Sequence, residues 1–242
     1  MTSKILIHQQ TGKKFFVKDC LDNFHTQYGI IPVRLLQSAQ DIVESTKGEF
    51  FYQLNATFPD VWEQLNRGPQ VMLPKDIGLI LAKTGVNKDS RVVDAGGGSG
   101  SLCFSLANVC KEVVVYEINP EHYRLLLKNN GLCGFQNVII KQNDISAGIE
   151  ESDLDLITLD LPEPWKVVLF AEKALKNGGF LVVYLPNLLQ VKQFIEVACK
   201  TRFTILETLE LLERRWKIED RIMRPEFEML GHTGFLTFCR KM

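Results

Sequence analysis

Residues 91–102 read "RVVDAGGGSGSL", and the reading of this stretch decides the fold. An apolar run ending on Asp94 is a short strand, the glycines after it make a tight turn, and a helix starts near Ser99–Ser101. Gly96, Gly98 and Gly100 remove the Cβ atoms that would keep a ligand away from the backbone. A connecting turn that binds nothing is the plain alternative. Glycine at this density between a strand and a helix favours the ligand-binding reading.

Outward from the turn the same rhythm repeats. Strands are predicted at 91–94, 112–117, 138–141, 154–159, 180–185, 204–211 and 235–240. Helical segments at 102–109, 121–130, 166–175 and 188–200 fit between several of them. Such alternation builds βαβ units and a largely parallel sheet covered on both faces. The fold class is therefore α/β, a Rossmann-like sheet of seven strands. The closing run "EMLGHTGFLTFCRKM" has no helix before its strand, as expected of a last strand inserted antiparallel. Up to about residue 66 the texture differs. "KILIHQ", "KKFFVKD" and "FFYQLNA" are brief β runs between turn signals, with a helix expected only over 31–45. The chain is expected to divide into a small, mostly β N-terminal domain (1–66) and a Rossmann-like catalytic domain (67–242).

The turn has the spacing GxGxG and follows an acid, whereas dinucleotide folds use GxGxxG and seat a pyrophosphate on the helix N-terminus. A carboxylate at Asp94 repels pyrophosphate and attracts a cation. S-adenosylmethionine offers a sulfonium and an ammonium group with no phosphate, so the acid favours that cofactor. The next strand, "EVVVYE", ends on Glu117, placed to accept both ribose hydroxyls. The third, "NVIIKQND", ends on Asp144, placed to accept from the adenine amine. Each acid alone reads as a solvated strand end. Three at successive strand ends read as a site.

The fourth strand closes on "DLPEPW" at 160–165. Pro162 and Pro164 cannot extend a strand ladder, so Asp160 is held at a strand end by a stiff turn. With "FHTQYG" at 24–29, "LPKD" at 73–76, "YLPN" at 184–187, "RP" at 224–225 and "GHTGFL" at 231–236, the chain resembles, along nearly its whole length, the tRNA (adenine-N1)-methyltransferases. These are class I S-adenosylmethionine-dependent enzymes that modify T-loop adenine 58, in some archaea also 57. The glycine turn alone implies only a methyltransferase. The Asp-x-Pro-acid-Pro-Trp turn with Gly-His-Thr-Gly-Phe is specific to this family.

The resemblance implies that Gly96, Gly97, Gly98, Ser99 and Gly100 cradle the methionine part, with Asp94 and Asp160 beside it. It places Glu117 at the ribose, and His122 and Asp144 near the adenosine. It makes Asp160 the catalytic acid and Tyr184 a wall of the target-base pocket. His232, Arg215 and Arg224 are carried as substrate-binding candidates. It also implies a homotetramer. Leu73 stands where relatives often carry an aromatic or histidine residue, and Gln27 where many carry histidine. Trp165 is read as a packing anchor for its turn. Lys13 and Lys14 are weaker RNA-binding candidates.

Composition sets the outer bounds. A 45% hydrophobic, 24% charged chain affords a sizeable core. A net charge of −1 excludes a protein that grips nucleic acid with its whole surface, leaving a local basic patch. The six cysteines show no metal-ligand spacing and read as buried thiols of a cytosolic protein, with a disulfide among them left open by sequence. No metal, no membrane span and a cytoplasmic location are expected. Two rival functions remain on sequence. A small-molecule methyltransferase of the corrinoid-precursor type would not need residues 1–66 or the "DLPEPW" turn. A non-catalytic tRNA-binding subunit should have eroded the cofactor motif, which is intact here.

Overall fold

A computed structural model of the chain describes residues 3–68 and 71–242. The chain divides into two compact units, Met1–Gln64 and Leu65–Met242.

The N-terminal unit contains strands β1 (Lys4–His8), β2 (Lys14–Val17), β3 (Phe24–Thr26) and β4 (Gly29–Ile31), then the one-turn helix α1 (Val33–Leu36). Strands β5 (Ile42–Glu44) and β6 (Phe50–Asn55) and helix α2 (Phe58–Trp62) follow. An antiparallel sheet runs β2-β1-β6-β5, and β3 and β4 form a separate hairpin. Strand alternation puts Leu6, Val17, Val43 and Phe51 on one face, where they meet Ile31 and Leu36 in a closed core. The helix expected over 31–45 is corrected to α1 alone. The Ser38 hydroxyl donates to the Leu35 carbonyl and stops the helix. Beyond it, Ile42 and Val43 pair with Tyr52 and Phe51 as a strand, as β-branched residues favour.

The larger unit contains helix α3 (Pro74–Thr84), β7 (Arg91–Ala95), α4 (Ser101–Ala107), β8 (Glu112–Tyr116), α5 (Pro120–Cys133), β9 (Val138–Lys141) and β10 (Leu154–Leu159). Then come α6 (Val168–Ala174), β11 (Leu175–Leu185), α7 (Leu188–Ala198), β12 (Phe203–Leu209), β13 (Trp216–Glu219), β14 (Ile222–Pro225) and β15 (Phe235–Lys241). Seven strands form one sheet in the order β12-β15-β11-β10-β7-β8-β9. All pairings are parallel except those of β15, which runs antiparallel to both β11 and β12. The strand order reverses beside β7, which places the glycine turn where an open α/β sheet binds its ligand.

The sheet carries Val92, Val93, Val113, Val114 and Val115 fully buried, as covered parallel strands require. Helices α2 and α3 lie outside the sequence reading, and strand β11 is longer than expected. Helix α3 begins at Pro74, whose missing N–H suits the first helical turn. Strand β11 begins five residues before the expected Phe180, at Leu175, because it passes through Gly178 at φ +81. The run after Glu210 holds the exposed β13–β14 hairpin. Among the described residues no helix is long and apolar enough to cross a membrane. All six cysteines are free thiols.

Candidate active site

Two turns meet back to back at the carboxyl edge of the sheet. The glycine turn leaves β7, and its Gly96 N–H donates to the Tyr116 carbonyl at 3.0 Å. The Asp160 turn leaves β10, and the Asp160 N–H donates to the Ala95 carbonyl at 2.9 Å. A Cβ added to Gly96 would lie 2.1 Å from the Asp160 carbonyl oxygen, and the residue sits at φ +85. Glycine is demanded there by the neighbouring turn as well as by its own backbone. The Asp160 turn is held from its far side by Gln190, whose Nε2 donates to the Pro162 carbonyl at 3.0 Å. Trp165 is half-buried and packs against the main core.

Three carboxylates converge behind these turns. Asp94 is buried and accepts from the Thr158 hydroxyl at 2.6 Å. Glu117 is buried, its Oε2 accepting from Gly98 N–H at 2.9 Å and its Oε1 from Asn119 N–H at 2.8 Å. It thereby locks the glycine turn to the end of β8. His122 Nδ1 stands 3.8 Å from Glu117 Oε2. Asp160 is open to the crevice, yet protein walls displace most of the bulk water around it.

Their charges are frustrated. Burial pushes the Asp94 carboxyl up to about 7, partly offset by the Thr158 hydrogen bond and reinforced by Asp160 and Glu117. Loss of solvent, then Glu117, pushes Asp160 up to about 6. Among the described residues no lysine or arginine lines this part of the crevice, where Asp94, Gly96, Gly97, Gly98, Ser99 and Asp160 share a wall with Met72. A cationic ligand relieves the repulsion, and a phosphate worsens it. The residues present therefore fit a cofactor with a positive centre.

A wider cavity of about 280 Å³ opens beyond Asp160, lined by Leu73, Tyr184, Pro186, His232 and Thr233. Asp160 and Met72 border both spaces. The Tyr184 ring lies flat over Gly234, where an added Cβ would be 2.6 Å from its Cζ. This explains the second glycine of "GHTGF". Burial pushes the Tyr184 phenol up to about 12. His232 lines the cavity while its Nδ1 meets Glu210 Oε1 at 2.5 Å and its Nε2 meets the Pro186 carbonyl at 2.7 Å. Both ring nitrogens face acceptors, an arrangement that favours the protonated ring. Its pKa is accordingly raised, first by Glu210 and then by the Pro186 carbonyl.

The other sequence candidates lie elsewhere. Asp144 caps its own helical turn, accepting from Ser146 N–H at 2.8 Å, and the Ser146 hydroxyl, then this N–H, lowers its pKa. It lines a separate pocket with Tyr116 and Asn143. Arg215 pairs with Glu213 and Arg224 stacks over Phe227, and neither lines the crevice. Two groups escaped the sequence reading. Lys75, half-buried with its side chain largely enclosed, and Asp76, fully buried, form an ion pair at 2.8 Å, and Lys75 Nζ also donates to the Thr233 hydroxyl at 2.7 Å. Asn129, fully buried, donates to the Ser99 and Asn66 carbonyls at 2.8 and 2.9 Å. "LPKD" signals the first by putting two opposite charges on an otherwise apolar helix start. Nothing in sequence marks Asn129. Among the described residues no cluster of His, Cys, Asp or Glu could hold a metal.

The family model described as the tRNA methyltransferase complex GCD14 subunit matches residues 49–224. The chain belongs to that family. It is 35% identical to a tRNA (adenine(57)-N(1)/adenine(58)-N(1))-methyltransferase, TrmI, of Methanocaldococcus jannaschii, across 98% of this chain and 94% of that one. Two solved structures superpose on nearly all of this family member. One is an S-adenosylmethionine-dependent O-methyltransferase of Thermotoga maritima, with TM-score 0.84 and 29% identity over 99% of this chain and 92% of that one. The other is the tRNA (m1A58) methyltransferase TrmI of Aquifex aeolicus, with TM-score 0.80 and 26% identity over 99% and 96%.

Proposed function

We propose that this protein is an S-adenosylmethionine-dependent methyltransferase acting on adenine N1 in the T-loop of tRNA, at position 58. The observation that carries the reading is the place of Asp160, a carboxylate shared by the acid-lined glycine crevice and the wider cavity under Tyr184. Family membership and the TrmI relatives support the substrate.

Gly96–Gly100 and Asp94 hold the methionine end of the cofactor, Glu117 its ribose, and His122 the adenosine side; Asp144, turned back onto Ser146 N–H, is left out of this set. When bound, the cofactor supplies an electrophilic methyl group. Adenine N1 has an in-plane lone pair, so no residue needs to deprotonate it. N1 lies on the pairing edge, so the base leaves its stack and enters the cavity. Tyr184 supplies a ring face for it. Asp160 accepts from the N6 amine and stabilises the positive charge that develops on the ring. His232 shapes the rim by tying Pro186 to Glu210. Arg215 and Arg224 contact phosphates.

The test is methylation of an unmodified tRNA transcript, followed by nucleoside mass mapping. N1-methyladenosine at 58 is expected, and the map also reads position 57. Methyl transfer to small hydroxylated or corrinoid acceptors with none to tRNA would overturn the reading.

Cofactor affinity is expected to rise with pH from about 5 to 8, with protons released on binding. The sign follows from the raised carboxyl groups. Below about 6–7, Asp160 and Asp94 hold protons in the free protein, and a cationic ligand favours their ionised forms. Without ligand, the same shifts stabilise the fold at low pH, and that stabilisation is lost as pH rises through 6–7. Calorimetry in two buffers of different ionisation heat measures the protons released. None near the middle of the window would remove both acids from the site.

The assembly is assigned as a homotetramer and its location as the cytoplasm. Exposed Trp216, Ile218 and Met223 on the β13–β14 hairpin are apolar surface of the kind an assembly covers. A monomer in sedimentation would refute the tetramer.

A further inference from the structure

Three turns of the N-terminal unit are sewn together at one end. The β1–β2 turn meets the β3–β4 turn where Thr11 Oγ1 lies 3.3 Å from the Tyr28 hydroxyl. The β5–β6 turn joins them through the Ser45 hydroxyl, which donates to the Tyr28 carbonyl at 2.7 Å, and through Thr46 N–H, which donates to the Ile30 carbonyl at 2.9 Å. Beneath them His8 is buried, bridging Thr11 and Glu49 at 2.8 and 2.9 Å and stacked on Tyr28 at 3.8 Å. Gly29, at φ +109, admits Ser45 so closely that a Cβ would lie 2.7 Å from its Oγ. The "FHTQYG" motif thus builds a rigid platform.

That platform carries two lysines whose charges are not neutralised. Lys13 Nζ donates to Gln27 Oε1 at 2.9 Å, and Lys47 Nζ to the Gln27 carbonyl at 3.4 Å. Both ammonium groups are drawn to one residue by neutral acceptors, and neither forms an ion pair with a carboxylate among the described residues. Glu49 is committed to His8. Lys14, next in sequence, has the opposite environment, with Asp60 at 2.7 Å and Glu63 at 3.0 Å.

We propose that this three-turn platform binds the tRNA backbone, Lys13 and Lys47 each taking a phosphate. The inference rests on the tRNA reading above and adds a contact surface to it. Two like charges held on one neutral residue repel each other, and a phosphate between or beside them removes that repulsion. Because the turns are already locked, little ordering entropy is lost on contact. Phosphate contacts of this kind add affinity and register without reading sequence. With a net charge of −1 on the whole chain, such local patches must supply the electrostatic attraction.

The test is the salt dependence of binding to unmodified tRNA, by anisotropy with the full chain over roughly 50–200 mM salt. Replacing Lys13 and Lys47 together by Gln should lower the slope of log K against log salt by about 2, one per lost phosphate contact. Affinity for S-adenosylmethionine should not change. Lys13→Arg with Lys47→Arg should keep the wild-type slope, and Lys14→Gln should keep it too. An unchanged slope in the double Gln variant, with the wild type still methylating tRNA, overturns this inference alone. An equal fall in Lys14→Gln also overturns it, because the effect would then be general charge. Loss of self-association in the double Gln variant with its tRNA slope intact would assign the platform to a second copy of the chain instead. Failure of the wild type to bind tRNA at all would overturn the functional reading and this inference with it.

Discussion

Asp160→Asn is expected to lower the single-turnover methylation rate of tRNA about a hundredfold or more, the scale of a lost preorganised electrostatic partner. Shape is preserved, because the backbone anchors of this turn do not involve the carboxylate. Its N–H donates to Ala95, its carbonyl packs on Gly96, and Gln190 holds Pro162. What is lost is the negative charge opposite a ring that becomes cationic. Cofactor affinity should fall much less, since Asp94 and Glu117 keep their charges on the same ligand. The wild-type rate should rise with pH through about 6 as Asp160 ionises, and the Asn variant should lose that limb. The ligand-free variant should also melt no lower than wild type, because one of three mutually repelling carboxylates is gone. A variant that methylates at near wild-type speed would make the whole turn structural.

Strand ends were the legible part of this molecule. Asp94, Glu117 and Asp160 could be placed from sequence because each closes an apolar run, and a parallel sheet delivers the ends of its strands to one edge. Asp144 obeyed the same rule of position, yet its carboxylate turns back to cap Ser146 N–H. Strand patterns give where a residue ends, not which way a short polar side chain folds. The antiparallel β15 was legible because no helix precedes it. The helix expected over 31–45 failed because its apolar spacing suits either period, and pairing with β6 decided for a strand. Contacts between distant segments left no pattern at all. Asn129 reaches Ser99 and Asn66 across long stretches of chain, and Gly234 owes its identity to the ring of Tyr184. Such residues are specified by tertiary packing, which periodicity does not encode.

The second large effect is on stability, at a pair that meets the wider cavity through Thr233. Asp76→Ala is expected to destabilise the larger unit by about 3–5 kcal/mol, as removal of one partner from a buried ion pair does. For a unit of this size that is a fall in Tm on the order of 10 °C. Asp76 is fully buried and Lys75 nearly so, and the Thr233 hydroxyl, 3.2 Å from Asp76 Oδ2, completes the cluster. Truncating Asp76 leaves the Lys75 ammonium with one hydroxyl and no counter-charge, and ammonium desolvation is the dominant cost. Replacing both by apolar residues, Lys75→Met with Asp76→Leu, removes that cost and should recover most of the stability. The cavity should not recover with it. Thr233 lines the same cavity as Asp160, and the charged pair ties its hydroxyl to the first turn of α3. The double variant is therefore expected to melt near wild type, bind cofactor normally and show a raised KM for tRNA. Thermal melts and steady-state methylation on the two variants separate the roles. If the single Ala variant melts within a degree or two of wild type, the pair is not energetically buried. If the apolar pair keeps the wild-type KM, the cluster holds the fold together and has no part in shaping the wider cavity.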